Sequence, residues 1–151
     1  MATLEQEFQR CLSEGRISGF GDGPSLTVRQ LEIAAEDLNE AKEGLDRGRW
    51  KWSTIQAYYS MFHTARALLY AKSLREKHHR CLRIAISHLY VAEGEPFRKL
   101  TDDFQLAREL RENADYADDF SENSARKLVA SAGQFLQTAT AILGRPAIPQ
   151  K

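Results

Sequence analysis

Apolar residues recur at helical spacing along most of the chain, and one stretch, from Trp50 to Leu74, is apolar on more than one side. It carries two stripes about a third of a turn apart. The first consists of Trp52, Ile55, Tyr59, Phe62 and Leu69, and the second of Tyr58, Met61, Ala65 and Leu68. A helix with two apolar stripes needs partners on both sides, so we predict that it is the central rod of a helical bundle.

The neighbouring segments each carry a single apolar stripe, which is typical of amphipathic helices packed around such a rod. No segment alternates apolar and polar residues with a period of two, so we predict no strand. The predicted class is all-α, an up-and-down bundle of four to five main helices plus a short N-terminal helix. The outer helices are predicted over 4–14, 27–48, 82–93, 97–116 and 121–144, with Ser121 or Ser124 as the last N-cap.

Turn residues divide the chain. Arg47-Gly48-Arg49 is so short a connection that the helices on either side should be antiparallel neighbours. Residues 15–27 are rich in glycine and are interpreted as a linker; a phosphate loop is rejected because no Gly-Lys-Ser/Thr follows. The predicted organisation is therefore an N-terminal helix with linker at 1–26, a bundle at 27–144, and a proline-rich tail at 145–151.

The amino-acid composition excludes few classes of function. Lys plus Arg and Asp plus Glu are equal at 21 each, so any electrostatic attraction for nucleic acid must come from local clusters. Cys11 and Cys81 are far apart and in no CxxC spacing, so neither a disulfide nor a zinc site is predicted, and a reducing, cytoplasmic setting is assumed. No apolar run is long enough to span a bilayer, which predicts no membrane association.

One basic cluster follows the central helix and is the first candidate for chemistry. Arg and Lys side chains surround two adjacent histidines there, which suits phosphate contact, although a solvated loop is an equally good interpretation. Its candidate phosphate- or nucleotide-binding residues are Arg75, Lys77, His78, His79, Arg80 and Arg83. His63 is interpreted as a packed or hydrogen-bonded core residue, and no metal site or cofactor is predicted.

The second candidate lies at the end of the fifth helix. Arg111 and Asp115 are one turn apart, and a surface ion pair between them would be worth only a few tenths of a kcal/mol. Arg111 also falls on or beside the apolar stripe of that helix, where a guanidinium needs an anionic or hydrogen-bonding partner. We therefore treat Arg111 as a candidate anchor for an anion.

These segments together resemble a known family. The segments that carry the resemblance are Tyr58-Tyr59-Ser60-Met61-Phe62-His63-Thr64-Ala65-Arg66-Ala67-Leu68-Leu69, then His79-Arg80, then Arg111-Glu112-Asn113-Ala114-Asp115-Tyr116. Together they resemble the HEPN domain, the higher eukaryote and prokaryote nucleotide-binding family. The resemblance covers roughly residues 31–143. It implies an up-and-down bundle, often a homodimer, frequently encoded beside a minimal nucleotidyltransferase as a toxin–antitoxin pair.

The resemblance also implies a chemistry. Active members are metal-independent endoribonucleases with an Arg followed by a polar residue and, four to six residues on, a His. The Arg would hold the scissile phosphate while the His moves the proton of the 2′-hydroxyl or the leaving oxygen. Arg111 matches the Arg, but the position five residues on is Tyr116, and no His follows His88. Tyrosine, with an ordinary pKa near 10, is in general a poor base at neutral pH.

Three hypotheses follow, in order of preference. The first is a binding or regulatory module for RNA, a nucleotide or a partner nucleotidyltransferase, using Arg111, Asp115, Tyr116 and the basic cluster without cleavage. The second is a ribonuclease toxin in which Arg111 acts with a His from elsewhere in the chain, His79 being the best candidate, or from the second subunit of a dimer. The third is a protein-association bundle, favoured if Arg111 and Tyr116 are mutually hydrogen-bonded and buried, with no cleft beside them.

Overall fold

The computed structural model describes residues 1–145 and has six α-helices. They are α1 (Leu4–Ser13), α2 (Gly23–Asp46), α3 (Trp50–Tyr70), α4 (His79–Leu89), α5 (Glu95–Tyr116) and α6 (Glu122–Leu143), with a 3-10 turn at Val91–Glu93 between α4 and α5. The predicted all-α bundle is confirmed. The predicted tail at 145–151 lies, apart from Arg145, outside the described residues.

The central position of α3 is also confirmed, because α2, α4, α5 and α6 all pack against it. Met61, Ala65 and Leu68 of its second stripe are fully buried. The prediction that both stripes face partners is wrong at two positions of the first stripe, since Trp52 is 56% exposed and Tyr59 37% exposed. The sequence pattern does not reveal that the bundle leaves one edge of α3 uncovered.

The helices α2 and α3 form the predicted antiparallel hairpin. Gly48, at φ 72°, makes the tight turn that its position between the helices requires. Two buried serines of α3 donate hydrogen bonds across the hairpin, Ser53 to the Ala41 carbonyl at 2.7 Å and Ser60 to the Ala34 carbonyl at 2.8 Å. Both pairs are symmetric about residue 47, as two antiparallel helices require.

The glycine-rich segment is not the simple linker that was predicted, and the expectation of no strand was wrong. Residues Ile17–Gly19 form a short strand, β1, which pairs antiparallel with β2 (Leu74–Glu76) just after α3. Strands of three residues are too short to show a period of two. The pairing also explains why the central helix ends at Tyr70 and not at Leu74 as predicted.

The helix α1 is anchored to the bundle by a disulfide that was not predicted. Cys11 of α1 and Cys81 of α4, 70 residues apart in sequence, are bonded with a Cα–Cα distance of 5.8 Å. Phe8 stacks on the ring of His88, with centroids 4.7 Å apart, on the same face. Spacing could not reveal this pairing because only the return of α4 to α1 brings the two thiols together.

The prediction that Cys11 and Cys81 form no disulfide is therefore wrong. The two cysteines no longer support a reducing environment, and a cytoplasmic location stays a prediction. Within residues 1–145, no helix combines the length and the apolar character that crossing a lipid bilayer requires.

Candidate functional site

Arg111 lies near the end of α5 with its side chain turned toward α3. Its side chain is 21% exposed, and one Nη donates a hydrogen bond of 3.1 Å to the hydroxyl of Tyr59. The guanidinium carbon lies 5.5 Å from the ring centre of Tyr58, 5.6 Å from that of Tyr59 and 5.9 Å from that of Tyr116. Ring faces attract a cation, so the three tyrosines hold the guanidinium without neutralising it.

The charge of Arg111 is only weakly compensated. Asp115 approaches one Nη to 3.8 Å, which is beyond hydrogen-bond distance. The Nε of Arg111 is buried and has no hydrogen-bond partner among the described residues. Because the Nε is buried, the donors left for an incoming oxyanion are those of the two Nη groups, which make one hydrogen bond within residues 1–145, to Tyr59.

Two of the surrounding tyrosines reach the surface. Tyr116, the last residue of α5, is 78% exposed, and Tyr59 is also exposed. Tyr116 is exposed, and the hydrogen bond of Arg111 goes to Tyr59 and not to Tyr116. Mutual burial and a mutual hydrogen bond, which would favour the protein-association bundle, are therefore not observed for this pair. Exposed aromatic rings beside an arginine provide faces on which nucleic-acid bases can stack.

His79, at the first turn of α4, packs into the same aromatic cluster. Its ring centre lies 5.7 Å from that of Tyr58 and 4.6 Å from that of Phe104. Arg111 and His79 therefore both pack against the ring of Tyr58, although they are far apart in sequence. Both ring nitrogens of His79 are buried and have no hydrogen-bond partner within residues 1–145.

The electrostatic environment keeps His79 neutral. Burial is the largest cause, followed by the positive charges of Arg108, Arg83 and Arg111, and together they lower the pKa of His79 to about 4. At neutral pH the imidazole therefore carries no charge and cannot donate the proton of an imidazolium. Burial also raises the pKa of the Tyr58 hydroxyl, to about 12, so that Tyr58 stays protonated.

The structure distributes the remaining basic residues over two other surfaces. The Arg75 guanidinium lies over the ring of Phe20, 5.2 Å from its centre, and Arg80 pairs with Glu7 of α1 at 3.3 Å. His78 is the exposed N-cap residue of α4, and Lys77 is an exposed residue after β2. Of the predicted basic cluster, only His79 and Arg83 approach the Arg111 region, as their electrostatic coupling indicates.

Sequence reasoning missed three residues of this site. Tyr58 and Tyr59 were assigned mainly to packing, and Arg108 was not considered. Arg108 precedes Arg111 by three residues, so the helical spacing could have placed both on one face of α5. Arg108 is itself paired with Glu112, at 3.3 Å, which leaves Arg111 as the less compensated of the two.

His63 has the role that was predicted for it. Its Nδ1 lies 2.7 Å from the side-chain oxygen of Gln30 on α2, and burial and the charge of Arg66 lower its pKa. It is a half-buried, hydrogen-bonded residue of the α2–α3 hairpin.

The fold and this site define an all-α bundle whose fifth helix presents an arginine held among tyrosines. The chain belongs to the HEPN domain family, since the family model for the HEPN domain matches residues 28–142. The match begins within α2, so α1 and β1 lie outside it.

Two curated proteins are similar to this chain. "Putative toxin MJ0605" of Methanocaldococcus jannaschii is 31% identical over 107 residues, which are 70% of this chain and 80% of that protein. "UPF0332 protein PH1297" of Pyrococcus horikoshii is 38% identical over 58 residues, 38% of this chain and 41% of that protein. The chain is thus a HEPN-domain protein, and one of its relatives carries the name "Putative toxin".

Proposed function

We propose that this protein is a HEPN module that binds RNA or nucleotide phosphates through Arg111, without cleaving them, and acts in a toxin–antitoxin-type system. The observation that carries the proposal is the arrangement of Arg111 among Tyr58, Tyr59 and Tyr116. In this arrangement the weakly compensated guanidinium of Arg111 can bind a phosphate, and the exposed rings of Tyr59 and Tyr116 can stack on bases. The similarity to a protein named as a toxin supports the biological setting.

The state of His79 favours binding over cleavage. A general base or acid must reach the proton that it transfers, within hydrogen-bond distance or through one water. The ring nitrogens of His79 are closed off by packing, and its low pKa makes it a weak base. Cleavage through His79 would require the aromatic cluster to open.

The binding experiment uses a fluorescently labelled single-stranded RNA and measures anisotropy at several salt concentrations. We expect salt-sensitive binding by the wild type, a loss of about tenfold or more in Arg111→Gln, and no loss in the control Arg126→Gln. Arg126 is an exposed arginine of α6 paired with Glu122 at 2.8 Å, so it matches Arg111 in residue type but not in location. Absence of binding at low salt would refute the proposal.

The proposed partner is a minimal nucleotidyltransferase, which we expect to be encoded beside this protein. We expect the two proteins to copurify when they are coexpressed, and the module to be a homodimer by sedimentation equilibrium. An adjacent reading frame of another kind, or a failure to copurify, would remove the partner from the proposal while leaving RNA binding intact.

The second candidate function is a metal-independent endoribonuclease that uses Arg111 and His79. The observation in its favour is that both residues pack against the ring of Tyr58. The required result is cleavage of RNA by the wild type in the presence of a chelator, lost in Arg111→Ala and in His79→Ala. Cleavage that persists in both variants would eliminate this candidate.

A further inference from the structure

A cavity of about 560 Å³ lies between α4 and the first half of α5, and Arg83 is among the residues that line it. Its apolar walls are Phe97 and the ring of Tyr90, both buried. The Tyr90 hydroxyl is already used, since it donates to the Leu68 carbonyl at 2.6 Å. The volume falls in the range typical of small-molecule sites, which are mostly apolar with a few polar groups.

Arg83 supplies the cationic group of this cavity. Its Nε is buried and has no hydrogen-bond partner among the described residues. The other charged residues of the lining are Arg98 and Glu95, which are paired at 3.4 Å, and Asp102. A buried donor of a charged group costs free energy when it is unpaired, and an oxyanion is the ligand that guanidinium donors match best.

The hydroxyl groups that line the cavity do not donate to an anion. Ser87 and Thr101 both line the cavity, and each donates its hydroxyl hydrogen to a backbone carbonyl of its own helix, at 2.7 and 2.8 Å. A hydroxyl that donates in this way keeps lone pairs but has no hydrogen left for an anion. Arg83 is therefore the group that would bind the anion directly.

The wall nearest the N-terminus lies outside the residues that match the HEPN model. Leu4 of α1 lines the cavity, and α1 is held there by the Cys11–Cys81 disulfide and by the ion pair of Glu7 with Arg80. Because α1 lies outside the residues that match the HEPN model, this wall is an addition to the family core.

We propose that the cavity is a binding site for a small organic anion with an apolar or aromatic body and one oxyanion group, which Arg83 binds. Carboxylates and phosphate monoesters share this chemistry. The site is independent of the RNA-binding function proposed above, since it does not include Arg111 or the tyrosines around it.

The experiment is an NMR titration of the ¹⁵N-labelled full chain with 3-phenylpropionate, phenyl phosphate and the neutral 3-phenylpropan-1-ol. We expect saturable shifts of the amides of residues 83, 87, 91 and 101 with at least one anion, with an affinity at least tenfold higher than for the alcohol. The two anions distinguish a carboxylate from a phosphate ligand. Saturation by neither anion, or equal affinity for the alcohol, would overturn the proposal.

Two variants and one control locate the site. Arg83→Gln should weaken anion binding about tenfold or more, because it removes the charge and most of the donors. Leu4→Glu should weaken it as well, because a carboxylate on that wall competes for Arg83, while the first turn of α1 tolerates an acidic residue. The control Arg126→Gln should bind as the wild type does, and wild-type affinity in both Arg83→Gln and Leu4→Glu would contradict the assignment.

Discussion

The Arg111 guanidinium donates a hydrogen bond of 3.1 Å to the Tyr59 hydroxyl, and this contact joins the end of α5 to the middle of α3. Tyr59 lies at an exposed edge of α3, between the buried Tyr58 and Ser60. The consequence of the hydrogen bond is electrostatic. A hydroxyl satisfies one donor of Arg111 but leaves the positive charge in place, whereas a close carboxylate would have neutralised it.

Replacing Arg111 or Tyr59 separately should distinguish the effect of the positive charge from the effect of the hydrogen bond. In Arg111→Gln the slope of log K against log salt concentration for single-stranded RNA should decrease by about 0.7, because one phosphate contact is lost. In Tyr59→Phe the charge and the ring remain, so the slope should not change and the affinity should stay within about twofold. Anisotropy titrations at four salt concentrations measure both quantities. An equal change of slope in the two variants would show that the charge of Arg111 is not what the RNA contacts.

The half-buried His79 should make stability depend on pH. Its pKa is about 4 in the folded protein, below the ordinary value of 6.5. Below pH 6.5 the unfolded chain therefore binds a proton that the folded protein does not, and the free energy of unfolding decreases until the pH reaches about 4. The loss between pH 7 and pH 4 should be about 2 kcal/mol, allowing for solvent screening of a partly exposed ring.

The matched control for this prediction is His79→Phe, which keeps an aromatic ring beside Tyr58 and Phe104 and cannot titrate. Urea unfolding of both proteins at pH 7, 6, 5 and 4 gives the comparison. The difference between the two curves removes the contributions of other groups, including His63, whose pKa is also lowered. Parallel curves would contradict the low pKa of His79.

The disulfide should contribute to stability by closing a loop of 70 residues. The loop-entropy relation gives at most about 4 kcal/mol for a loop of this length. We expect the double variant Cys11→Ser/Cys81→Ser to lower the free energy of unfolding by up to this amount, and the reduced wild type to behave like the variant. Thiol titration in denaturant tests the bond directly, and two free thiols in protein purified without reductant would contradict it.

Gly23, at the start of α2, should not tolerate a side chain. A Cβ at this position would overlap the carbonyl oxygen of Tyr70, which belongs to the backbone at the end of α3. Gly23→Ala should therefore lower the free energy of unfolding by about 1–3 kcal/mol, as overpacking does. Gly21→Ala is the control, because a Cβ there meets no atom within 4 Å, and its effect should be small. Equal stability of the two variants would show that α2 and α3 are not packed this closely.

Local features of the chain account for much of the fold. The period of the apolar residues defines the helices, and the short turn at Gly48 defines the hairpin of α2 and α3, because both are set by residues close in sequence. The sequence narrows the N-cap of α6 to two serines, and it is Ser121, which accepts a hydrogen bond of 3.0 Å from the Ser124 backbone.

The sequence by itself determined the all-α bundle, its central helix, the family resemblance, and Arg111 as an anion anchor to be tested. Tertiary structure alone decided that Cys11 meets Cys81, that β1 pairs with β2, and that Arg111 and His79 share the ring of Tyr58. The physical reason is common to all three. Each contact joins residues on different elements, and their distance depends on how the helices are arranged around α3, which no local periodicity encodes.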